Sequence, residues 1–288
     1  MKGIRPQLVG IESKPIAQQI DARWLMAYAA GIGETDALYL DTLREGGIVP
    51  HPLFASAYEW PALAAIIAGT VPEEVITRGV HATHDLEIQR LPMVGEQVIT
   101  KAQAIAMEAR KPGAYVVTRI LTIDANGEPV TTTDVGTIYL GVELEGPDRR
   151  SADYEIPPSQ SGRALWEEPL TIPVEAAHVY TECARIWNPI HTDRAVAKAA
   201  GLPDRILHGT ATLARVISAV VRREAGGDPR RVRRLYARFG AMVLMPSTLT
   251  IQGLGRGRTV GGETMVGFQV LAENGESAIR DGVVMLGA

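Results

Sequence analysis

The feature that most constrains this chain is that it contains one pattern twice. The stretch "YAAGIGETDALYLD", Tyr28 to Asp41, aligns without a gap with "YTECARIWNPIHTD", Tyr180 to Asp193, 152 positions later. At the same offset "LEIQRLPMVGEQV" (86–98) lies over "RFGAMVLMPSTLT" (238–250), where apolar positions and a turn agree although identity is poor. A pattern repeated at fixed spacing marks one unit built twice. A chain of 288 residues is long enough for two domains, each with a core of its own. In the first copy helical spacing around Trp24, Tyr28 and Ala29 gives way to strand-like alternation, so each half reads as helices first and strands after.

The strands expected in the first half are about 84–90, 96–109, 114–124 and 130–142, an antiparallel meander, with "DANGEP" supplying an Asn-Gly turn between the last two. Those of the second half are about 231–241, 246–254, 262–273 and 277–287, with a second Asn-Gly turn in "AENGES". The segment "GTATLARVISAVV" (209–221) is helical: Leu213, Val216, Ile217 and Val220 recur at i, i+3, i+4 and i+7 and give one stripe to bury. In the first half "PLFASAYEWPALAAIIAG" occupies the corresponding place, with Pro61 expected to kink or end the helix. A helix with one apolar face and a bent antiparallel sheet cover each other. The expectation is therefore an α+β chain of two such units, 1–150 and 161–288, with their sheets continuous and residues 151–160, from the Pro- and Ser-rich "EGPDRRSADYEIPPSQSGR", as an exposed linker.

Composition removes several function classes. With 46% apolar residues, 22% charged residues and a formal net charge of -4, the chain has no electrostatic bias toward nucleic acid. Its first twenty residues lack the apolar core of a signal peptide, and no run reaches the ~18 apolar residues of a membrane span. The expected location is the cytoplasm. Cys183 is the one cysteine, so an internal disulfide is excluded and a role as a small buried hydrophobe is the ordinary one. No histidine pair has metal-binding spacing on a clear helix, and His51, His81, His84 and His178 fall into no pattern. The glycines of "GLGRGRTVGG" (253–262) read as a hairpin turn, not a dinucleotide fingerprint. The run "RRVRR" (230–234), with Arg222 and Arg223 nearby, reads as a solvated face, or as a contact for the phosphates of a carrier.

The second copy carries a denser motif: Asn188-Pro189-Ile190-His191, Asp193, "AAGLP" (199–203), then Leu207-His208-Gly209. Over about 35 residues this resembles the MaoC-like (R)-specific enoyl-CoA hydratases and 3-hydroxyacyl-thioester dehydratases of double-hot-dog type. The resemblance implies two hot-dog domains, the first a degenerate copy. It also implies reversible hydration of a 2-enoyl thioester carried by coenzyme A or an acyl carrier protein, with no cofactor beyond that carrier and no metal. His191 would then be the general acid/base, Gly209 and Thr210 the oxyanion amides, Asn188 a loop-fixing residue and His208 a buttress of the loop. Imidazole exchanges protons near neutral pH, and a glycine at a helix start leaves free N–H groups open to a developing enolate. A homodimer is expected, as for most symmetric assemblies.

The motif departs from the family at one place. The family's catalytic Asp stands five residues before the histidine, and that position is Ile186 here. Three carboxylates are candidates to replace it: Glu182, one helical turn earlier; Asp193, whose ordinary role is to cap the next helix; and Glu34, which reads as a surface residue. Glu182 is the expected substitute. Arg185 would meet a second substrate carboxylate if it faces the pocket, and a surface ion pair otherwise. Ile186 keeps two rival readings open: an acyl-CoA thioesterase on the same fold, and a nonenzymatic acyl-thioester binding protein.

Overall fold

Each half opens with a short edge strand and then a short helix, which corrects the expected order of helices first and strands after. Asp21 accepts a hydrogen bond from the Trp24 N–H at 2.7 Å and starts α1 (Ala22–Gly31); a carboxylate there satisfies an otherwise unpaired amide and complements the helix dipole. After α2 (Ala37–Leu40) comes the long α3 (Ala55–Thr70). The second half repeats the order with α4 (Ala176–Ala184), α5 (Arg194–Ala199) and the long α6 (Gly209–Glu224). The computed structural model describes residues 3–156, 162–259 and 261–288.

Around the long helices run β1 (Ile16–Gln19), β2 (Gly79–Ile88), β3 (Gln97–Arg110), β4 (Gly113–Asp124), β5 (Pro129–Leu140) and β6 (Arg149–Arg150), then β7 (Trp166–Ile172), β8 (Val232–Phe239), β9 (Ser247–Arg258), β10 (Thr264–Ala272) and β11 (Ser277–Leu286). They form one sheet in the order β1-β3-β4-β5-β2-β8-β11-β10-β9-β7, with β6 added to β3. The two halves mirror each other in this order, and the antiparallel pair β2 and β8 joins them, Leu86 opposite Leu235. This is the double hot dog expected above, with its sheets continuous.

One detail of the expected meander is corrected. β3, β4 and β5 are successive hairpins, but β2 lies beside β5 instead of β3. The placement gives β2 an edge to pair with β8, so the inner edges of both sheets are consumed. Both Asn-Gly turns are present, with Gly127 at φ 88° and Gly275 at φ 80°. That left-handed backbone suits glycine. Of the glycine-rich stretch, residues 253–258 belong to β9, and Arg258 lies opposite Thr264 of β10.

The expected stripe of α6, Leu213, Val216, Ile217 and Val220, is buried completely. Pro61 does not end α3, which continues to Thr70; its missing N–H only deprives the Ala57 carbonyl of a helical donor. The expected linker is not wholly exposed either. Tyr154 is buried, with its hydroxyl 3.3 Å from that of Tyr115. Residues 157–160 of that linker lie outside the described residues.

α1 packs on α4 so that residues equivalent in the repeat meet. The rings of Tyr28 and Tyr180 stand edge to face at 5.9 Å. A Cβ at Gly31 would lie 2.7 Å from that of Cys183, its counterpart, so this crossing needs the glycine and gives Cys183 a packing role. Among the described residues no helix is long and apolar enough to cross a membrane.

Candidate active site

The loop around His191 is shaped by the end of α4. Arg185 adopts a left-handed conformation, φ 58°, and the amides of Arg185 and Ile186 both return to the Thr181 carbonyl. This turn sends Ile186 into the core, 5% exposed, and leaves Trp187 65% exposed. Asn188 then caps a single 3-10 turn, Pro189–His191, by accepting from the Ile190 N–H. Proline suits the first position of that turn because its missing donor is not needed. Asp193 caps α5 through the amides of Ala195 and Val196 at 2.8 and 3.2 Å, its ordinary role.

His191 is fixed from the far side of α5. Its Nδ1 lies 2.8 Å from the Ile206 carbonyl oxygen. A carbonyl only accepts, so Nδ1 carries the hydrogen and Nε2 keeps a free lone pair. The strand-like Ile206 and Leu207 are themselves tied to Leu244 and Val243. The next residue, His208, caps α6, stacks on His191 at 3.7 Å, and is hydrogen-bonded through Nε2 to the Thr181 hydroxyl at 3.3 Å. Gly209 and Thr210 begin α6, ahead of the Ala211 amide that first returns to the His208 carbonyl. The Thr210 hydroxyl accepts from Tyr180 at 3.1 Å.

His191, His208, Gly209 and Thr210 line a cavity of about 620 Å³, to which both halves contribute. β2 supplies two histidines. A register shift falls between His81 and Thr83, so that His81 pairs with Thr137 and His84 with Val135. In a regular strand residues three apart point to opposite faces; the bulge puts both imidazoles on the same one. His81 donates to the Thr83 carbonyl at 3.0 Å and packs on Phe239, 4.6 Å ring to ring. Phe239 in turn lies against Gly209, where a Cβ would meet the ring at 3.0 Å.

From α3 come Ser56 and Glu59. Glu59 accepts at Oε1 from Thr131 at 2.9 Å and Thr133 at 2.8 Å. Burial pushes its carboxyl up to about 7, against the opposing pull of the Thr131, Thr133 and Thr122 hydroxyls. Burial pushes His191 down to about 4, although the Ile206 carbonyl favours its protonated form. His81 falls to about 4 by burial, with His191 adding repulsion, and burial holds His84 and His208 well below the usual imidazole range. At neutral pH the four imidazoles are therefore uncharged bases. No arginine or lysine is among the lining residues.

Several expectations about the site are corrected. Glu182 sits on the exposed face of α4 and does not line the cavity; the left-handed turn at Arg185 carries the chain away from it before His191 is reached. Arg185 is also outside, its guanidinium 4.2 Å from the Trp24 ring and 3.9 Å from Asp21. Glu34, expected at the surface, is largely covered, its side chain 11% exposed, and it pairs with Arg222 at 3.3 Å. The arginine run is largely engaged within the fold: Arg230 binds Asp228, Arg231 the Gly287 carbonyl, and Arg234 clasps Asp85 across the two halves at 2.7 and 2.9 Å. Asn188, His191, His208, Gly209 and Thr210 all line the cavity. In the first half the position of His191 is taken by Tyr39, 5.9 Å from His51. His51 is occupied by the Leu53 amide and the Ser218 hydroxyl, and neither Tyr39 nor His51 lines the cavity.

Residues 160–273 match the family described as "MaoC like domain", and residues 7–133 match the "FAS1-like, dehydratase domain region". The second half is similar to MaoC-like domains. It contributes His191, His208 and the start of α6, while β2 and α3 of the preceding dehydratase-like region complete the cavity. The chain is 20% identical to a MaoC-like dehydratase from Phytophthora capsici, whose crystal structure superposes with a TM-score of 0.83 over 97% of this chain and 96% of the other. It is 23% identical over 84% of its length to "Probable enoyl-CoA hydratase 2" of Dictyostelium discoideum, of which it covers 84%. It is 25% identical over 59% of its length to "Enoyl-CoA hydratase 2, peroxisomal" of Arabidopsis thaliana, of which it spans 57%. The second half has no group of metal-binding side chains among its described residues.

Proposed function

We propose that this protein adds water reversibly across the 2,3 double bond of an enoyl thioester, with His191 as its proton carrier. The observation that carries the reading is the 2.8 Å bond from His191 Nδ1 to the Ile206 carbonyl, which leaves Nε2 unprotonated on a cavity that also contains the first residues of α6. Nε2 takes a proton from water as the oxygen bonds to C3. The π electrons pass to the thioester carbonyl, where the Gly209 and Thr210 amides and the helix dipole favour the enolate. The imidazolium then returns its proton to C2. With Ile186 in the place of the family's aspartate, one histidine performs both transfers, and the hydrocarbon side chain of Ile186 leaves the second anchoring point of the water to the surrounding cavity.

The thioester's carrier, coenzyme A or an acyl carrier protein, would leave the cavity past Trp187 and Pro189. Both also border a surface hollow with Arg194 and Arg205, whose guanidinium groups suit phosphate. No redox cofactor enters this scheme. A homodimer remains the expected assembly. The test is to follow enoyl absorbance and free thiol together with a short 2-enoyl-CoA. Loss of absorbance without thiol release supports hydration; thiol release assigns a thioesterase; stabilisation of the protein by the ligand with neither change assigns a binding protein.

A further inference from the structure

The wall of the cavity contributed by the first half contains polar atoms that the protein leaves unmatched. Glu59 Oε2, Ser56 Oγ and both ring nitrogens of His84 have no hydrogen-bond partner. All three side chains line the cavity, and they are 2%, 8% and 1% exposed. Each unpaired buried polar group costs free energy unless something pairs with it. Four such atoms, from three side chains, gather on one wall, whereas native folds scatter a few per hundred residues.

Their positions follow the order of the sheet. Phe239, packed on Gly209 at the start of α6, is on β8; His81 and His84 are on β2; Val135, opposite His84, is on β5. These three strands are neighbours. Thr131 and Thr133, farther along β5, hold Glu59. A path from the start of α6 to Glu59 therefore crosses two strand spacings, roughly 10 Å, and runs two to four residues along β5, roughly 7–13 Å, over mostly apolar wall that includes Val80, Ile138 and Leu63.

We propose that Ser56, Glu59 and His84 form a polar subsite for a neutral hydroxyl group carried on the acyl chain, several carbons from the thioester. A hydroxyl both donates and accepts, so it can give its hydrogen to Glu59 or His84 and accept from Ser56. A second carboxylate on the substrate is disfavoured, because the lining residues include no arginine or lysine and the one carboxylate among them would repel it. The subsite explains why a carboxyl group stands buried on the long helix α3. It rests on the proposed thioester binding, and it does not depend on whether the bound thioester is hydrated.

The test uses the full chain and nonreactive saturated thioesters: hexanoyl-, octanoyl- and decanoyl-CoA and their ω-hydroxy counterparts, with affinities from calorimetry and turnover of the matching 2-enoyl-CoA pairs measured in parallel. For at least one chain length the wild type should bind the hydroxylated thioester about tenfold tighter than its parent, the scale of one hydrogen bond to an ionisable group. Glu59→Leu should abolish that preference while keeping or improving binding of the parent. Glu59→Gln, which keeps the shape and a donor–acceptor tip, should retain part of the preference and covers the case in which the leucine variant fails to fold. Equal binding of parent and hydroxylated thioesters at every length, or a preference that survives Glu59→Leu, overturns the subsite. A Glu59-dependent preference without turnover of any enoyl-CoA upholds the subsite and overturns the hydratase reading. Binding of none of the six overturns both.

Discussion

His191 and His208 lie ring on ring, their centroids 3.7 Å apart and their planes inclined by 26°. The inner ring is held by the Thr181 hydroxyl, and the outer ring by the Ile206 carbonyl. The stack therefore fixes the plane of the outer imidazole while its Nε2 stays unprotonated. His191→Ala should lower hydration turnover by at least ~10²-fold, the usual cost of losing a general acid/base, with circular dichroism unchanged. His208→Phe keeps the stack and removes the hydrogen bond. It should lower kcat by about tenfold and leave KM nearly unchanged, because only the orientation of the base is disturbed. Near wild-type turnover in His191→Ala would make this histidine structural.

Residues outside the cavity should be separable from those inside it. Glu182→Gln and Arg185→Ala should each leave turnover within about twofold of wild type, since surface changes away from a site have small effects. Asp193→Ala should lower stability by about 1 kcal/mol through loss of its two capping bonds, measured by urea unfolding. A large loss of activity in Glu182→Gln would restore it as the substitute carboxylate.

Acid should destabilise the fold over a defined window. His81 and His191 are held near 4 and His51 near 3, all by burial in the first instance, against 6.5 for an ordinary imidazole. Between pH 6.5 and 4 the unfolded chain binds more protons than the folded one, so stability falls as the pH falls through that range and is level in this respect above it. Thermal unfolding from pH 7.5 to 4.5 should show Tm declining mainly below pH 6.5. A flat profile there in Glu59→Gln, which lacks the oppositely titrating carboxyl, would mean that these histidines are charged in the folded protein.

Glu59 should act in the opposite direction. Its carboxyl is raised from 4.5 to about 7 by burial, so the folded state binds the extra proton between those values and stability is lost as the pH rises through them. Glu59→Gln removes that dependence. The variant should gain on the order of 3 kcal/mol relative to wild type at pH 8, and show little gain at pH 4.5. An equal gain at both pH values would assign the effect to packing instead of ionisation.

Much of the fold was legible because local signals agreed with one another. The 152-residue repeat, the period-2 runs, the two Asn-Gly turns and the α6 stripe are all properties of neighbouring residues, and each corresponds to an element in the structure. The motif around His191 was equally legible, as was the capping role of Asp193. What escaped depends on register and on turns that composition does not announce. The bulge in β2 places His81 and His84 on one face, whereas simple alternation separates them. Glu182 was assigned by extending a helix that the left-handed Arg185 brings to an end. Glu59 gave no signal in "SAYEWPAL", where an acidic residue on a helix reads as solvent-facing. Only the position of α3 against Thr131 and Thr133 makes it an interior group.

The Tyr39 and His51 pair gives the molecule a stoichiometry. A duplicated unit has room in principle for two equivalent binding sites, yet in the first half a tyrosine stands where His191 would be, and His51 is engaged with Leu53 and Ser218. The half without an imidazole pair at the equivalent positions instead lends β2 and α3 to the wall of the other's cavity. Saturation with an acyl thioester should therefore come at one equivalent per polypeptide, and the binding isotherm of a single chain should be hyperbolic, since it has no twin site with which to communicate.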